Sequence, residues 1–416
     1  MMKKRNNTGN GEKARAEELW ARAFRALEGR EYDEAIANFD EGIEMDSSNA
    51  RAYAGRGYAY QEKGLHDEAI KDYDRAIALG INYAGTYLNR GNIHYKRGNY
   101  GKAAKDYNKA TRLAPEDFRT HGSRGNVYSA KGEYGKADAA FSRAIDLKPD
   151  NHLLYLNRGN AYIKMNRYEE AIADCGTAID LIPDADVESK FGAYIFRGYA
   201  YKKTGELGKA IADHNEAINL KPDDSFARFS RGGVYFDKED YERAIDDYST
   251  AIVLNSNDAD AYSNRGAAYG KAGEFEKAID DYSEAIKIDP DNVNAYIGRG
   301  TCYSAKDRHD EAVRNYSTAI KLKSKNARAY FLRGYAYHSK DEHISAAADY
   351  TRAIKFNLEP DISVAYFLRG VVYGAEGKYG KAISDFTESI SCNPRFADAY
   401  NKRGYAYFRR QMYDKA

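Results

Sequence analysis

Cysteine and proline are scarce in this chain, and its net charge is close to zero. It has three cysteines and seven prolines among 416 residues, and Cys175, Cys302 and Cys392 lie far apart, without a paired spacing. The 64 Lys and Arg residues almost balance the 63 Asp and Glu residues, which leaves a formal net charge of +1. No global field therefore attracts nucleic acid or an anionic membrane, and no segment is apolar over the length of a membrane span. We expect neither a nucleic-acid nor a membrane partner.

The beginning of the chain lacks an apolar segment as well. Residues 1–5 are basic at three positions, but polar and glycine-bearing sequence follows them, which is not the pattern of a secretory signal. A cytoplasmic protein is the simplest interpretation. The polar composition of residues 1–15 predicts a disordered N-terminal tail.

Motifs typical of catalysis are also missing. The recurring Gly-Lys pairs, such as Gly101 and Lys102, lack the hydroxyl residue that would follow them in a phosphate-binding loop. Six of the eight histidines occupy places where the chain elsewhere has tyrosine or phenylalanine. We interpret these histidines as packing residues and not as metal ligands or acid–base groups. We expect no enzyme, no cofactor and no metal site.

What the chain does have is repetition. The segment Tyr-x-x-Arg-Gly begins at Tyr53, and it returns as Tyr-x-Asn-Arg-Gly at Tyr87, Tyr155 and Tyr262. A period of 34 residues is typical of stacked supersecondary units. When each repeat is numbered from residue 16, 50, 84, 118, 152, 191, 225, 259, 293, 327, 363 or 397, position 7 is always Arg and position 20 is always Ala.

The spacing of apolar residues predicts two helices in each repeat. Apolar or aromatic residues at positions 4, 8 and 11, and again at 17, 20, 21, 24, 27 and 28, follow helical periodicity on either side of a polar break. Small residues at positions 8, 20 and 27 allow helix axes to approach closely. Proline at position 32 ends the second helix of six repeats. These prolines are Pro115, Pro149, Pro183, Pro222, Pro290 and Pro394.

These residues resemble the tetratricopeptide repeat, in the subgroup whose repeats carry the phrase Asn-Arg-Gly. The resemblance covers residues 16–416 as eleven complete repeats and a truncated twelfth, with insertions at 186–190 and 361–362. At each insertion we expect a lengthened helix start or a local bend. The resemblance implies an all-α solenoid of tandem helix–turn–helix repeats that forms a right-handed superhelix, with the first helices lining a concave groove.

A second pattern pairs the arginine of position 7 with an aspartate at position 23 in eight of the eleven repeats that reach it. In an antiparallel hairpin these positions lie at a similar height, which predicts a ladder of Arg–Asp pairs, internal to each hairpin or bridging to its neighbour. Asn38, Ala140 and Asn315 interrupt the ladder, and we expect looser repeats there. A row of arginines that binds polyanions is the alternative. The eight aspartates are Asp72, Asp106, Asp174, Asp213, Asp247, Asp281, Asp349 and Asp385.

The resemblance directs positions 2, 5, 9, 12 and 13 into the groove. Five of the six tyrosines outside the packing positions fall there, and position 9 is Asn in three consecutive repeats. Exposed aromatic rings and rows of amides both favour binding of an extended peptide. Rings that cover their neighbours and amides that are merely solvated are the competing interpretations. The candidate groove residues are Tyr58, Asn92, Tyr95, Lys96, Arg119, Asn126, Asn160, Lys164, Tyr199, Lys202, Lys203, Phe229, Phe236 and Tyr335.

Charge divides this groove. In the third to sixth repeats its positions carry Lys or Arg and no acid, which favours an acidic segment or a free carboxylate as ligand. From the seventh repeat onward phenylalanines appear, which favours an apolar ligand segment. The family's clamp for carboxylate tails begins with Lys and Asn one helical turn apart, but Leu88 and Leu156 stand at the Lys place before Asn92 and Asn160.

Three functions are compatible with the sequence. The leading hypothesis is a protein–protein interaction scaffold that binds extended peptide segments, or a partner surface, in the groove. The second is self-assembly into a homo-oligomer through the C-terminal end, where the twelfth repeat has almost none of its second helix. The third is the regulatory part of a longer enzyme. The sequence does not identify the partner.

Overall fold

The computed structural model describes the backbone of residues 2–416 and the side chains from Glu12 onward. Over this range the regular structure is entirely helical. The 23 α-helices are α1 Met2–Glu28, α2 Tyr32–Met45, α3 Ala50–Glu62, α4 His66–Ala78, α5 Ala84–Lys96, α6 Tyr100–Leu113, α7 Phe118–Ala130, α8 Tyr134–Leu147, α9 His152–Lys164, α10 Tyr168–Leu181, α11 Val187–Thr204, α12 Leu207–Leu220, α13 Ser225–Asp237, α14 Tyr241–Leu254, α15 Ala259–Lys271, α16 Phe275–Ile288, α17 Val293–Ala305, α18 His309–Leu322, α19 Ala327–Ser339, α20 His343–Lys355, α21 Ile362–Ala375, α22 Tyr379–Cys392 and α23 Ala397–Arg409.

The chain divides into two compact units, residues 1–209 and 210–416. Within each unit consecutive helices pair into hairpins, such as α5 with α6 and α7 with α8 in the first unit, or α19 with α20 in the second. The second helix of a hairpin packs on the first helix of the next one, as α6 does on α7 in the first unit and α14 on α15 in the second. First helices of neighbouring repeats also touch, as α5 and α7 do. The predicted all-α solenoid of tandem hairpins is therefore confirmed.

Polar caps fix where the first helices begin. Asn49 precedes α3, and its side-chain oxygen accepts hydrogen bonds from the backbone amides of Arg51 and Ala52. Such a bond satisfies an amide that has no partner within the helix, and a cap of this kind contributes about 1 kcal/mol. The same residue type, Asn or Asp, caps the first helix of seven further repeats with its side chain. These caps are Asp117, Asn151, Asp186, Asp224, Asp258, Asn292 and Asn326.

The turn between the two helices has the same backbone conformation in every repeat. Position 15 is left-handed, with φ of 77° at Gly64 and 62° at Glu239. The next amide then donates back to the helix, as Leu65 N does to Tyr60 O at 2.8 Å. Glycine accepts this conformation without strain, whereas a side chain is crowded there. The residues at position 15 are Arg30, Gly64, Gly98, Gly132, Asn166, Gly205, Glu239, Gly273, Asp307, Asp341, Gly377 and Gln411.

Small residues bring the two helices of a hairpin together. Every position 20 alanine from Ala35 to Ala382 is fully buried. The ring at position 24 is buried too, as in Tyr107, which is 2% exposed. It lies directly over the glycine at position 8 of the same repeat. At Gly91 the approach is so close that an added Cβ would be only 2.7 Å from the Tyr107 ring. The expected close approach at positions 8 and 20 is therefore present.

The insertions and the N-terminus alter individual helices. Helix α11 begins at Val187, inside the first insertion, and has 18 residues where α9 has 13. Helix α21 begins at Ile362, in the second insertion. Both are the lengthened starts that we expected. At the other end α1 begins at Met2, which differs from the disordered tail expected for residues 1–15. Residues 12–15 are rich in good helix formers and continue the helix, and the side chains of residues 1–11 lie outside the described part.

The predicted Arg–Asp ladder is present. In each intact rung the arginine Nε and Nη2 donate to the two carboxylate oxygens of the aspartate 16 residues later, as Arg90 does to Asp106 at 2.9 and 2.6 Å. Such fork-shaped pairing is the strongest geometry for this ion pair. The other described rungs are Arg56 with Asp72, Arg158 with Asp174, Arg231 with Asp247, Arg265 with Asp281, Arg333 with Asp349, and Arg369 with Asp385.

Each rung also reaches into the preceding repeat. The third nitrogen of the arginine, Nη1, donates to position 25 of that repeat, as Arg56 does to Asp40 at 2.5 Å and Arg265 to Ser249 at 3.0 Å. The acceptor is a carboxylate early in the chain and a hydroxyl or an amide later. The two modes that the sequence left open, internal and bridging, therefore occur together.

Candidate functional site

Two depressions run along the first helices of the second to fifth repeats. One has a volume of about 180 Å³ and is lined by Asn92, Tyr95, Lys96 and Asn126, among others. The next has a volume of about 270 Å³ and is lined by Tyr95, Asn126, Asn160 and Lys164. They share Tyr95 and Asn126, so they form one continuous surface. We call it the amide groove, defined by Asn92, Tyr95, Lys96, Asn126, Asn160 and Lys164.

Neighbouring side chains fix the orientation of two amides in this groove. The hydroxyl of Tyr107 donates to Oδ1 of Asn92 at 2.8 Å. The side-chain nitrogen of Asn157 donates to Oδ1 of Asn126 at 3.2 Å. Because each amide oxygen already accepts a hydrogen bond from within the protein, the side chains are oriented so that the Nδ2 hydrogens of Asn92 and Asn126 can donate to a ligand. The groove therefore presents hydrogen-bond donors.

Tyrosines form the floor of the groove. Tyr107 is buried between the helices of the third repeat, and its burial raises the pKa of its phenol, so the hydroxyl stays protonated and continues to donate to Asn92. Tyr95 packs against Tyr100 with ring centroids 5.5 Å apart. Burial, and then proximity to Tyr100, raises the pKa of Tyr95 as well. The floor is neutral at physiological pH.

The cations of this region are not equivalent. Lys96 and Lys164 are exposed at the rim of the groove. Arg119 is exposed too, but its Nη2 lies 2.7 Å from a carboxylate oxygen of Asp117, the cap of α7. The hydrogen bond from Arg119 lowers the pKa of Asp117. The groove positions of this stretch carry cations without acids, but Arg119 is paired with Asp117, which lies just outside those positions.

The other candidates of the first unit lie outside the two depressions. Tyr58 and Tyr199 are exposed, as expected of contact residues. The ring of Tyr199 packs edge-on against that of Tyr168, with ring centroids 6.5 Å apart. The Lys203 ammonium lies 5.4 Å from the centre of the Tyr199 ring. Lys202 is half-buried. Tyr199 thus both covers neighbouring side chains and presents one ring face.

The candidates of the second unit are mixed. Tyr335 is 48% exposed. Phe229 and Phe236 are half-buried. The ring centroid of Phe229 lies 5.8 Å from that of Tyr248, and the ring centroid of Phe236 lies 5.6 Å from that of Tyr241. These two phenylalanines are therefore at least partly packing residues, which was the competing interpretation.

Sequence reasoning missed several residues of the amide groove. Gln61, Ser123, Ser129, Tyr134 and Asn157 also line it. Asn157 belongs to the Asn-Arg-Gly phrase, which was interpreted as part of the family frame. Its repetition at position 6 was a signal, but its contact with Asn126 joins neighbouring repeats and needs their packing to be known.

Two properties of the described residues bear on the kind of site. Within the residues that the structure describes, no group of three or more His, Cys, Asp or Glu side chains is arranged to hold a metal ion. No helix in that part of the chain combines the length and the apolar character needed to cross a membrane.

Comparison with known proteins gives the family. Models described as tetratricopeptide repeat match residues 50–80, 152–185, 191–224, 259–292, 282–314, 327–360, 363–396 and 386–416. A model described as TPR repeat matches residues 27–64, 91–132, 125–166, 232–273 and 302–341. Together these matches cover most of the chain. No curated protein sequence matches it.

Several solved structures are similar to this chain. Yeast Tom70 is 15% identical, with a TM-score of 0.47, over 95% of this chain and 96% of that one. Cut9 in the APC/C hetero-tetramer Cut9-Hcn1 is 13% identical, with a TM-score of 0.46. The match covers 94% of this chain and 96% of that one. YrrB, described as a TPR protein with an unusual peptide-binding site, is 24% identical, with a TM-score of 0.38, over 46% and 96%. On its repeated sequence, its stacked hairpins and the models that match it, the chain belongs to the tetratricopeptide repeat family.

Proposed function

We propose that this protein is a protein–protein interaction scaffold whose amide groove binds an extended peptide through the peptide's carbonyl oxygens. The observation that carries the proposal is the fixed orientation of Asn92 and Asn126, whose oxygens accept hydrogen bonds from Tyr107 and Asn157. The donors that remain suit carbonyl acceptors, which recur along an extended chain whatever its sequence.

Lysines at the rim add a preference to this binding. Lys96 and Lys164 are exposed, and each lines one of the two depressions that meet at Asn126. Charged groups at a rim act mainly on association rate and partner choice. We therefore infer that the preferred ligand carries Asp, Glu or a free carboxylate.

The experiment measures binding of short fluorescein-labelled peptides by fluorescence anisotropy. One set is rich in Asp and Glu, and a matched set has Asn and Gln instead. Asn92→Ala, Asn126→Ala and Asn160→Ala together should weaken binding of both sets by roughly tenfold or more, because several hydrogen bonds are lost. Lys96→Gln with Lys164→Gln should weaken only the acidic set. The matched control is Lys71→Gln with Lys105→Gln, which makes the same charge change on second helices.

Two results would reject the proposal. If the triple asparagine variant keeps its helicity and binds both sets as well as the unaltered protein does, the groove is not the binding surface. If the control pair of lysine variants weakens acidic peptides as much as the rim pair does, the preference is a general charge effect.

Self-association is a second candidate function. Tyr400, Tyr405, Phe408 and Tyr413 of the last repeat are all exposed, which is unusual for rings grouped within so short a segment. Sedimentation velocity at several concentrations tests it, and a constant monomer mass would reject it.

A further inference from the structure

The fourth repeat lacks the acidic half of its ladder rung. Position 23 is Ala140, where the third repeat has Asp106 and the fifth has Asp174. Arg124 occupies position 7 as usual. The ninth repeat also lacks the aspartate, but Asn315 accepts the Nε of Arg299 there at 2.9 Å. Ala140 has no polar atom that could replace the carboxylate in this way.

Arg124 consequently has no carboxylate partner within its own hairpin. Its Nε is fully buried and has no hydrogen-bond partner. The centre of its guanidinium lies 5.9 Å from the centre of the Tyr128 ring, which is an electrostatic contact but not an acceptor for the N–H. A buried donor without a partner is unfavourable, and more so on a charged group.

A recess opens in front of this guanidinium. It has a volume of about 290 Å³ and is lined on α7 by His121, Arg124 and Tyr128, and on α8 by Lys136, Ala139, Ala140 and Arg143. Three of these residues are cations and none is acidic. Glu133 and Glu116, outside this lining, pair with Lys136 and Arg143, so Arg124 is the lining cation that remains for an anion.

Neighbouring acids are committed to the outer cations. Glu133 binds Lys136 at 2.7 Å, and Glu116 binds Arg143 at 2.9 Å. His121 is held through its Nε2, 2.8 Å from the carbonyl oxygen of Pro115. These contacts leave Arg124 as the lining cation that is not paired with an acid.

The recess is separate from the amide groove. His121, Arg124 and Tyr128 follow one another at spacings of three and four residues, so they share one face of α7. Asn126, which belongs to the amide groove, lies on the opposite face of the same helix. No residue lines both the recess and either depression of the groove.

We propose that this recess is a binding site for a carboxylate, which takes the place of the missing aspartate side chain in front of Arg124. The intact rungs show the geometry, because their Nε and Nη2 donate in parallel to two oxygens of one planar group. A guanidinium fork matches a carboxylate in this way. The ligand is an acidic side chain of another polypeptide or a small free carboxylic acid.

Acetate is the probe, and the signal is the Nε–H resonance of Arg124 in a nitrogen–proton NMR spectrum. Its assignment comes from its absence in Arg124→Lys. We expect acetate to shift this resonance saturably in the millimolar range, whereas chloride at equal ionic strength does not. The resonances of rung arginines such as Arg90 and Arg158, already bonded to aspartate, should not move.

Two variants make the test specific. Ala140→Asp restores the pattern of the other rungs, so it should weaken acetate binding by at least roughly tenfold. It should also raise the melting temperature above that of the unaltered protein. Ala140→Asn reproduces the ninth repeat, where Asn315 accepts a hydrogen bond from Arg299. This variant fills the recess without adding charge and should also compete with acetate. If the Arg124 resonance does not respond to acetate in the unaltered protein, or responds equally in Ala140→Asp, the proposal is wrong.

Further titrations separate the ligand sources. A short blocked peptide with one Glu, compared with the same peptide carrying Gln, tests whether a polypeptide side chain reaches Arg124. A response to the Glu peptide alone assigns the site to a protein ligand, and a response to acetate alone assigns it to a small acid. Inorganic phosphate that acts at lower concentration than acetate would overturn the assignment to a carboxylate.

Discussion

Arg158 and Asp174 face each other across the fifth repeat, joined by two parallel hydrogen bonds of 2.7 and 2.8 Å. Their side chains are 17% and 9% exposed. The hydrogen bonds to Asp174 raise the pKa of Arg158, although burial acts to lower it. In a buried pair of this kind, loss of one partner costs more stability than replacement of both.

The first prediction concerns this rung. Asp174→Ala leaves Arg158 buried without its carboxylate acceptors, with only Ser142 still bonded to Nη1, and we expect the free energy of unfolding to fall by about 3 kcal/mol. Urea denaturation followed by circular dichroism measures the loss. Hydrogen exchange of the amides in α9 and α10 shows whether the loss is local, since repeat arrays need not unfold in one step.

The control for this rung replaces both partners with apolar residues, as Arg158→Met together with Asp174→Leu. This double variant should be much closer to the unaltered protein in stability than Asp174→Ala is. A double variant as unstable as the single one would show that the charges matter less than the packing around them.

The second prediction concerns the glycine under a buried ring. Gly91→Ala would place a Cβ 2.7 Å from the Tyr107 ring, so the ring must shift, at a cost of about 1–3 kcal/mol in stability. Gly101, in the second helix of the same repeat, has no neighbour within 4 Å of such an atom. Gly101→Ala should therefore raise stability by up to about 1 kcal/mol through helix propensity. Thermal denaturation of the two variants should give changes of opposite sign.

The third prediction concerns a histidine that burial keeps neutral. Burial lowers the pKa of His94 from its ordinary 6.5; the charges of Arg90 and Lys102 also lower it, and that of Asp106 opposes them. The unfolded chain therefore binds a proton more readily than the folded one. The contribution of His94 to stability is complete above its unfolded pKa and is lost as pH falls through the lower folded pKa.

His94→Tyr tests this dependence. Tyrosine stands at the same position 11 in the neighbouring repeats, as Tyr60 and Tyr128, and it carries no charge in this range. We expect the variant to lose less stability than the unaltered protein between about pH 7 and pH 5. Denaturation midpoints across that range measure it. Parallel curves for the two proteins would contradict the prediction.

The fourth prediction concerns the left-handed residue of the turn. Glu239 adopts φ of 62°, a conformation that is costly for a residue with a side chain. Glu239→Gly should raise stability by about 1 kcal/mol, and Gly273→Ala, at the same position of the next repeat, should lower it by a similar amount. Calorimetric melting temperatures compare the two. If both variants melt at the same temperature as the unaltered protein, the turn is not strained.

The fifth prediction concerns the pairing of Arg119 with Asp117. Asp117→Ser keeps an oxygen that caps α7 but removes the charge that holds Arg119. Stability should be nearly unchanged, and acidic peptides should bind more tightly than they do to the unaltered protein. Asp117→Asn also gives an uncharged cap, and it should have the same effect on stability and on the binding of acidic peptides. Unchanged affinity for acidic peptides in both variants would exclude Arg119 from the binding surface.

The repeat itself was predictable because its packing depends on residue size at fixed spacing. Alanine at position 20 and glycine at position 8 have a single role, which is to admit a neighbouring helix or ring, and the structure places them so. The Arg–Asp rung was predictable for a similar reason, because two oppositely charged positions lie at one height in a hairpin. In each case the predicted contact joins two positions of the same repeat.

The candidate site was less predictable because it depends on neighbouring repeats. Asn126 is oriented by Asn157 of the following repeat, and Arg119 is engaged by the cap that precedes its helix. Phe229 and Phe236 were assigned to the groove by position alone, but contacts with tyrosines hold them partly inside. Position within a repeat gives the direction of a side chain and not its partners.

The Nη1 nitrogen of each ladder arginine binds the residue at position 25 of the preceding repeat. That residue therefore influences how cooperatively two adjacent hairpins unfold. Arg56 and Arg90 reach back to carboxylates, Asp40 and Asp74, whereas Arg265 and Arg333 reach back to the hydroxyls of Ser249 and Ser317. A charged acceptor binds a guanidinium more strongly than a hydroxyl does. The first three repeats should therefore open as a single block, while those joined through serine open more independently, and the boundaries of partial unfolding are set by the residue at position 25.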